Sequence, residues 1–417
     1  MFKTNSESIA SESSGADLSA GATVTKIELF KNNGDEAVLP GNLYNLPDVV
    51  CLSHLRWDFV YQRPQHLLSR FAQHVRVFFV EEPIFIDCQA PFLHLTEREE
   101  RVLLVVPHLP HGLSPEAVEA AQRSMLDQLF AEHKIERYLF WYYTPMALRF
   151  TVHFTPVLTV YDCMDELSAF KFAPAQLKEL ELALFKKADL VFTGGQSLYE
   201  VKKKQHPQAH AFPSSIDKAH FAQARKVLPE PIDQAGIPSP RIGFFGVIDE
   251  RMDIGLLDAL ASATPEWHLI LIGPVVKIDP ATLPQHPNIH YLGSKTYKEL
   301  PAYLSGWDVA LLPFAINEST EFISPTKTPE YLAAGKPVVS TPIRDVVRPY
   351  GEAGLVQIAA TPEAFIAAIE KALLQQEDGE WLAAVDDFMA DLSWDNTWGN
   401  MVNQIKKTLK LKKQLSA

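Results

Sequence analysis

Cysteine is nearly missing from this chain: Cys51, Cys88 and Cys163 are the only three in 417 residues. An odd, widely spaced set offers neither a disulfide framework nor the paired spacing of a zinc site, and it points to a reducing compartment. Long apolar runs are missing too. No stretch approaches the roughly 20 residues needed to cross a bilayer, and the N-terminus lacks the apolar core of a signal peptide. A cytoplasmic protein is expected. Basic residues are outnumbered, 38 Lys and Arg against 51 Asp and Glu, and the formal charge of −13 disfavours nucleic acid as a partner. No Gly-x-Gly-x-x-Gly follows a strand-like run, which argues against a dinucleotide oxidoreductase. No Asp-x-Asp is present to bridge a metal to a diphosphate.

What is present is an alternation. Residues 1–45 are rich in Ser, Glu, Gly, Asn and Ala and read as a disordered leader. From Pro47 onward, short apolar runs alternate with helical patterns. Strands are expected at 49–54, 75–80, 102–106, 138–142, 157–161 and 190–193, with helices over 62–74, 115–133 and 174–188. A Pro-rich polar segment, 226–240, reads as a linker. The alternation then resumes, with strands at 242–245, 268–272, 289–292, 309–312, 337–340 and 355–358. Its helices fall near 253–263, 296–305, 328–334 and 361–376. The fold class is therefore α/β: two doubly wound Rossmann-like domains, 46–225 and 241–392, facing across a cleft. Ala188-Asp189-Leu190-Val191-Phe192 echoes Trp307-Asp308-Val309-Ala310-Leu311, each with an Asp just before a buried strand. Residues 393–417 read as a helix crossing back to the first domain, capped by Ser393 or Asp395. Trp394, Trp398, Met401, Ile405 and Leu409 form its apolar stripe, followed by lysines 406, 407, 410, 412 and 413. Such a basic amphipathic tail suits peripheral contact with an anionic membrane at the inner face of the plasma membrane, although packing is the commoner use of the stripe.

The most informative segment runs from Ser324 to Val339. Hydroxyl residues and prolines from Ser324 to Pro329 mark a helix start, with Thr326 and Thr328 both candidate caps. Lys327 and Glu330 lie three residues apart at that start. A helix N-terminus with a lysine attracts phosphate, and a glutamate can accept two hydrogen bonds from a ribose diol. The competing reading is a surface helix with a solvated Lys and Glu.

In the first half, Asp162 and Asp165 follow an expected strand, where α/β ligand sites lie. Asp162 suits positioning or deprotonating an acceptor hydroxyl, or alternatively capping the next helix. Arg56, Trp57 and Arg63 follow the first strand and suit gripping an anionic or lipid-phosphate acceptor. Arg63 precedes Pro64 and equally suits a helix start. His54 and His66 read as structural histidines, and Lys202-Lys203-Lys204 as a solvated helix face.

These residues resemble the retaining, group 1 glycosyltransferases of the two-domain GT-B type, in a bacterial cell-surface-polysaccharide branch. The likeness is carried by Pro329 through Val339, Gly243-Phe244-Phe245-Gly246, Tyr291-Leu292-Gly293 and Trp307 through Pro313. In the first half, Trp57 through Gln65 and Tyr161 through Asp165 carry it. The resemblance implies that Glu330 holds ribose hydroxyls and that Lys327 neutralises the donor diphosphate. It further implies that the Ser324, Pro325, Thr326 and Thr328 loop touches phosphate and sugar. Gly246 lets backbone approach the phosphates, with Arg251 as a second cation. Gly273, Pro274 and Tyr297 fall where the base is held. Two departures stand out. The family's first glutamate position, eight before Glu330, is Phe322, with Glu321 one place off. The arginine that commonly follows the domain-opening glycine is Val247.

The expected activity is metal-independent, retaining transfer from a UDP- or GDP-linked nucleotide sugar, with no cofactor, to a hydroxyl of a glycan or lipid-linked acceptor. The charge on the leaving diphosphate would be met by Lys327, Arg251 and the helix start. The rival expectations are a nucleotide-sugar epimerase or sugar phosphorylase of the same fold, and a non-catalytic nucleotide-sugar binder.

Overall fold

The computed structural model describes residues 46–375 and 378–415; the expected leader, 1–45, lies outside them. The N-terminal lobe is built on nine strands: β1 (Asp48–Leu52), β2 (Val77–Val80), β3 (Ile84–Ile86), β4 (Phe92–Glu97), β5 (Val102–Pro110), β6 (Tyr138–Tyr142), β7 (Leu158–Cys163), β8 (Leu190–Thr193) and β9 (Ala209–Ala211). Their order is β3-β5-β2-β1-β6-β7-β8-β9, with β4 antiparallel to β5 and the rest parallel. The C-terminal lobe carries β10 (Arg241–Phe245), β11 (His268–Ile272), β12 (Ile289–Gly293), β13 (Val309–Leu312), β14 (Val338–Ser340) and β15 (Val356–Ile358), ordered β12-β11-β10-β13-β14-β15. Central strands such as Tyr-Leu-Phe-Trp-Tyr in β6 and Val-Ala-Leu-Leu in β13 are buried throughout. Parallel strands covered by helices on both faces require such unbroken apolar runs. In each lobe the order reverses beside the first strand, so the switch points lie between β1 and β6 and between β10 and β13. Ligand crevices form at such points.

The echoed aspartates do the same job twice. Asp189 accepts the Thr159 N–H at 2.8 Å and its own N–H donates to the Thr159 carbonyl at 2.8 Å. Asp308 accepts the Arg241 N–H at 2.6 Å and its N–H donates to the Arg241 carbonyl at 2.8 Å. Each pins the start of one parallel strand to its neighbour.

Several expectations need correcting. Segment 226–240 is not the crossover. Ile216, Phe221, Ala224 and Ile237 pack in the C-terminal core, whereas Phe212 packs in the N-terminal one. The chain therefore crosses just after Phe212, and its prolines mark an ordered segment of the C-terminal lobe. It crosses back between Leu392 and Trp394, which belong to opposite cores. Lys218 ties the two crossings by donating to the carbonyls of Met389 at 2.9 Å and Ala390 at 2.8 Å. The helix Trp394–Leu415 does return to the N-terminal lobe, and Ser393 caps it by accepting the Asn396 N–H at 3.1 Å. Its stripe of Trp394, Trp398, Met401 and Ile405 is spent in that packing, and Lys412 pairs with Asp189 at 2.8 Å. Lys202 is not solvated: it is buried between Glu166 and Glu181, each at 2.8 Å.

The lobes touch through a stack of rings. His66, in the helix Arg63–Ala72, lies flat on Trp394 at 4.6 Å and meets Tyr297 of the C-terminal lobe at 5.6 Å. Tyr61 packs on Tyr297 at 4.8 Å. Burial pushes the His66 imidazole down to about 3, with the Arg70 charge adding to it. Below an unfolded value of about 6.5, the unfolded chain takes up a proton that folded His66 refuses, so stability falls with falling pH, by about 1.4 kcal/mol per unit. Lowering pH from 7 to 5 is expected to cost about 2 kcal/mol through this residue. His66→Phe, which keeps the ring stack, should remove that share; urea unfolding at both pH values measures it, and an unchanged pH slope in the variant would contradict the assignment.

Candidate active site at the junction of the lobes

On the C-terminal side the site grows from the end of β10. The Tyr331 hydroxyl accepts the Phe245 N–H at 3.0 Å, which fixes the helix Lys327–Ala333 against the strand. Gly246 follows with φ +140, and a Cβ there would lie 2.1 Å from Lys327 Cε and 2.6 Å from its Nζ. Gly273, after β11, has φ +142, and its Cβ would lie 1.9 Å from the Gly246 carbonyl oxygen. Both positions need glycine, so that two strand ends and a lysine can share one place. Lys327 Nζ also sits 5.6 Å from the Phe244 ring centre. The Pro274 carbonyl is taken by the Ile248 N–H at 2.9 Å.

Among the described residues, neither Lys327 nor Glu330 has a hydrogen-bonding or ion-pair partner for its charged group. Burial pushes the lysine ammonium down and the glutamate carboxyl up, and their mutual attraction opposes both shifts. Thr326 is the residue before the helix, but its side chain makes no capping bond, and the Thr328 hydroxyl is buried without a partner. The capping expectation thus fails for both. The helix has only seven residues, so Lys327 supplies most of the positive charge. Arg251 is less available than expected, since Asp249 holds it at 2.7 and 3.0 Å. Phe322, at the family's first glutamate position, packs against an N-terminal core cluster, while Glu321 is exposed. Ser324 lies against Gly195 of the opposite lobe, whose added Cβ would come within 2.8 Å of Ser324 Cβ.

The N-terminal side differs most from expectation. Asp162 and Arg63 are both fully buried and grip each other, with Arg63 Nη2 to Asp162 Oδ1 at 2.8 Å and Nε to Oδ2 at 3.0 Å. Arg63 also donates to the Phe212 carbonyl at 2.6 Å. Neither group reaches an acceptor, because each is the other's required counter-charge. Trp57 is likewise a core residue: its backbone N–H donates to the Glu81 carboxylate at 2.7 Å and its ring meets Phe79 at 5.0 Å. Arg56 donates to Glu81 at 2.8 Å on the outer side.

Asp165 is the carboxylate that faces the other lobe. Burial raises its pKa, and Arg251, Arg63 and Lys277 pull it back. Close by, the Phe170 ring carries two cations from the C-terminal lobe, Arg251 at 5.7 Å and Lys277 at 5.3 Å. His54, at the β1 switch point, has a buried Nδ1 without a partner, and burial pushes its imidazole down to about 4, helped by the Lys277 charge. The Tyr143 backbone opposes that shift by hydrogen bonding to the ring, so His54 is a half-satisfied histidine. Tyr297 stacks on His220 at 4.3 Å, and its hydroxyl is buried without a partner. Sequence reasoning missed Lys277, Phe170 and Asp345. For His54 a signal existed, its place just beyond the first strand.

Residues 239–375 match the family described as Glycosyl transferases group 1. A Bacillus subtilis (strain 168) protein named as a glycosyltransferase of teichuronic acid biosynthesis is 26% identical over 315 residues, 71% of this chain and 76% of its own. Solved structures agree on the fold. The Anabaena protein HepE with UDP and glucose superposes with a TM-score of 0.57 at 14% identity, covering 88% of this chain and 99% of that one. A trehalose-phosphate synthase from Burkholderia xenovorans superposes with 0.59 at 12%, covering 87% and 100%. The C-terminal lobe is thus a group 1 glycosyltransferase domain in a GT-B fold, and the chain is a glycosyltransferase.

Replacing Asp162 with Ala strands a buried guanidinium and is expected to cost about 3–5 kcal/mol of stability. Thermal unfolding tests this. A variant that melts like the wild type yet loses transfer would return Asp162 to the chemistry.

Proposed function

We propose that this glycosyltransferase moves a sugar, with retention and without a metal, from a nucleotide diphosphate sugar to a hydroxyl of a glycan or lipid-linked acceptor in cell-surface polysaccharide synthesis. One observation carries the reading: Lys327 and Glu330 stand side by side, unpartnered, at the C-terminal switch point. Lys327 meets the donor diphosphate over Gly246, where the missing Cβ leaves room. Arrival of the phosphates restores the lysine's full charge, which burial alone disfavours. Glu330 accepts from the ribose diol, and the unpartnered hydroxyls of Thr328 and Tyr297 add a donor or acceptor each. The relative's teichuronic acid naming supports an envelope polysaccharide as product, and the UDP held by HepE supports a uridine donor.

In the reaction, the bond from the anomeric carbon to the diphosphate oxygen breaks, the acceptor oxygen bonds to the same face, and its proton passes to the departing diphosphate oxygen. Charge grows on the departing diphosphate, where Lys327 and the Asp249-held Arg251 lie. Asp165, rather than Asp162, orients the acceptor hydroxyl from the opposite lobe. Lys277 and the neutral His54 complete that wall.

Glu330→Ala should weaken UDP-sugar binding by about 2–4 kcal/mol, the loss of two charge-assisted bonds. Lys327→Ala should lower kcat more than it raises KM, because the charge it meets is largest in the transition state. Calorimetry and transfer assays with and without chelator check these. Unchanged affinity in Glu330→Ala, or activity that is lost with chelator and regained with Mn²⁺, would overturn the reading.

A further inference from the structure

We propose that the outer edge of the N-terminal sheet carries a second carbohydrate site, a pocket that holds an uncharged, non-reacting sugar unit of the acceptor glycan; this rests on the acceptor reading above. The pocket forms where β4 pairs with β5. Phe92 lies opposite His108, His94 opposite Val106 and Thr96 opposite Leu104. Alternation puts all six side chains on one face of the ribbon. The ring that lines the cavity is His108, and Phe92 stacks on it at 4.9 Å from outside the lining, 43% exposed. His94 Nε2 and Thr96 Oγ1, 3.1 Å apart, are two small polar groups of the lining.

The walls come from a break in the neighbouring strand line. Between β2 and β3 the chain leaves the ladder after Glu81, whose N–H still donates to the Val105 carbonyl at 3.0 Å, and Arg56 fills the break by donating to the Glu81 carboxylate at 2.8 Å and to the Glu82 carbonyl at 2.6 Å. On the other side Arg98 donates to Asp58 at 3.0 Å. The groove between them, open on one side, has a volume of about 290 Å³.

Charge decides between ligands. Arg56 and Arg98 are cancelled by Glu81 and Asp58. Around them, residues 82–100 hold Glu82, Asp87, Glu97, Glu99 and Glu100 against Arg98 alone. A phosphate or an anionic lipid surface is repelled by such a flank. What remains are the His94 and His108 imidazoles and the Thr96 hydroxyl, groups that can both donate and accept, beside the apolar Ile84, Leu104 and Val106. A pyranose presents the complement, an apolar C–H face and an edge of hydroxyls that each donate and accept. The groove lies on the β4–β5 edge of the sheet, and Arg56 and Asp58 of the loop after β1 form part of its wall.

Saturation-transfer NMR on the full-length protein tests this, with the methyl glycosides of glucose, galactose, mannose and N-acetylglucosamine as probes. At least one is expected to bind, and Phe92→Ala and Thr96→Val should each weaken it about three- to tenfold. Glu330→Ala should leave it unchanged. Absence of signal for all four probes, or a signal indifferent to Phe92 and Thr96, overturns the proposal. Flotation with phosphatidylglycerol vesicles that depends on Phe92 also overturns it, in favour of a lipid surface. UDP titration of the same samples separates this from the donor reading: pyranoside binding that persists in a protein that ignores UDP leaves the pocket standing while the donor assignment falls.

Discussion

The close approach of Gly246, Gly273 and Lys327 is the constraint on which the catalytic lobe depends. Two parallel strands end beside each other with left-handed glycines, and the lysine stem crosses the nearer one. Any side chain at either glycine would fill the space through which the ammonium reaches the crevice. Tyr331 adds the second fixture by accepting from the Phe245 backbone. One strand end thereby sets both the height and the angle of the helix that bears Lys327 and Glu330.

The two lobes solve their electrostatics in opposite ways. In the N-terminal lobe, charges that leave water are paired at once: Arg63 with Asp162, and Lys202 with Glu166 and Glu181. Such pairs specify geometry and contribute little that is free to act. At the junction, buried Glu330 and half-buried Lys327 and Asp165 lack such closure, and removal from water shifts each toward its neutral form. Groups poised in this way respond strongly to an arriving charge, a property that active sites share.

Much of this was legible in the sequence, for local reasons. Strands 138–142, 190–193, 268–272 and 309–312 were read at their observed bounds because unbroken apolar runs between turn signals have few other uses. Lys327 and Glu330 were legible because one helical turn makes them neighbours. Strands β3 and β4 were missed since both faces are partly exposed and neither shows a buried alternation. The linker was misplaced because its prolines suggested exposure, while Ile216, Phe221 and Ile237 sit in the core. Arg63 and Asp162, separated by 99 positions, meet only through the sheet order. No local pattern announces such a pair, so the sequence offers each only an acceptor role or a place at a helix start.

Asp345 of the C-terminal lobe accepts the Ser197 N–H at 3.0 Å, at the start of the N-terminal helix Gln196–Lys202, where that helix has no side-chain cap of its own. An added Cβ at Gly195 would lie 2.4 Å from the Asp345 carboxylate, so the fit is tight. The helix therefore borrows its first-turn acceptor from the other lobe. Capping bonds are worth about 1 kcal/mol, which biases a two-state equilibrium only about fivefold. Taken alone, this contact is a weak clasp, which acts beside the Tyr61–Tyr297 ring contact that also joins the lobes.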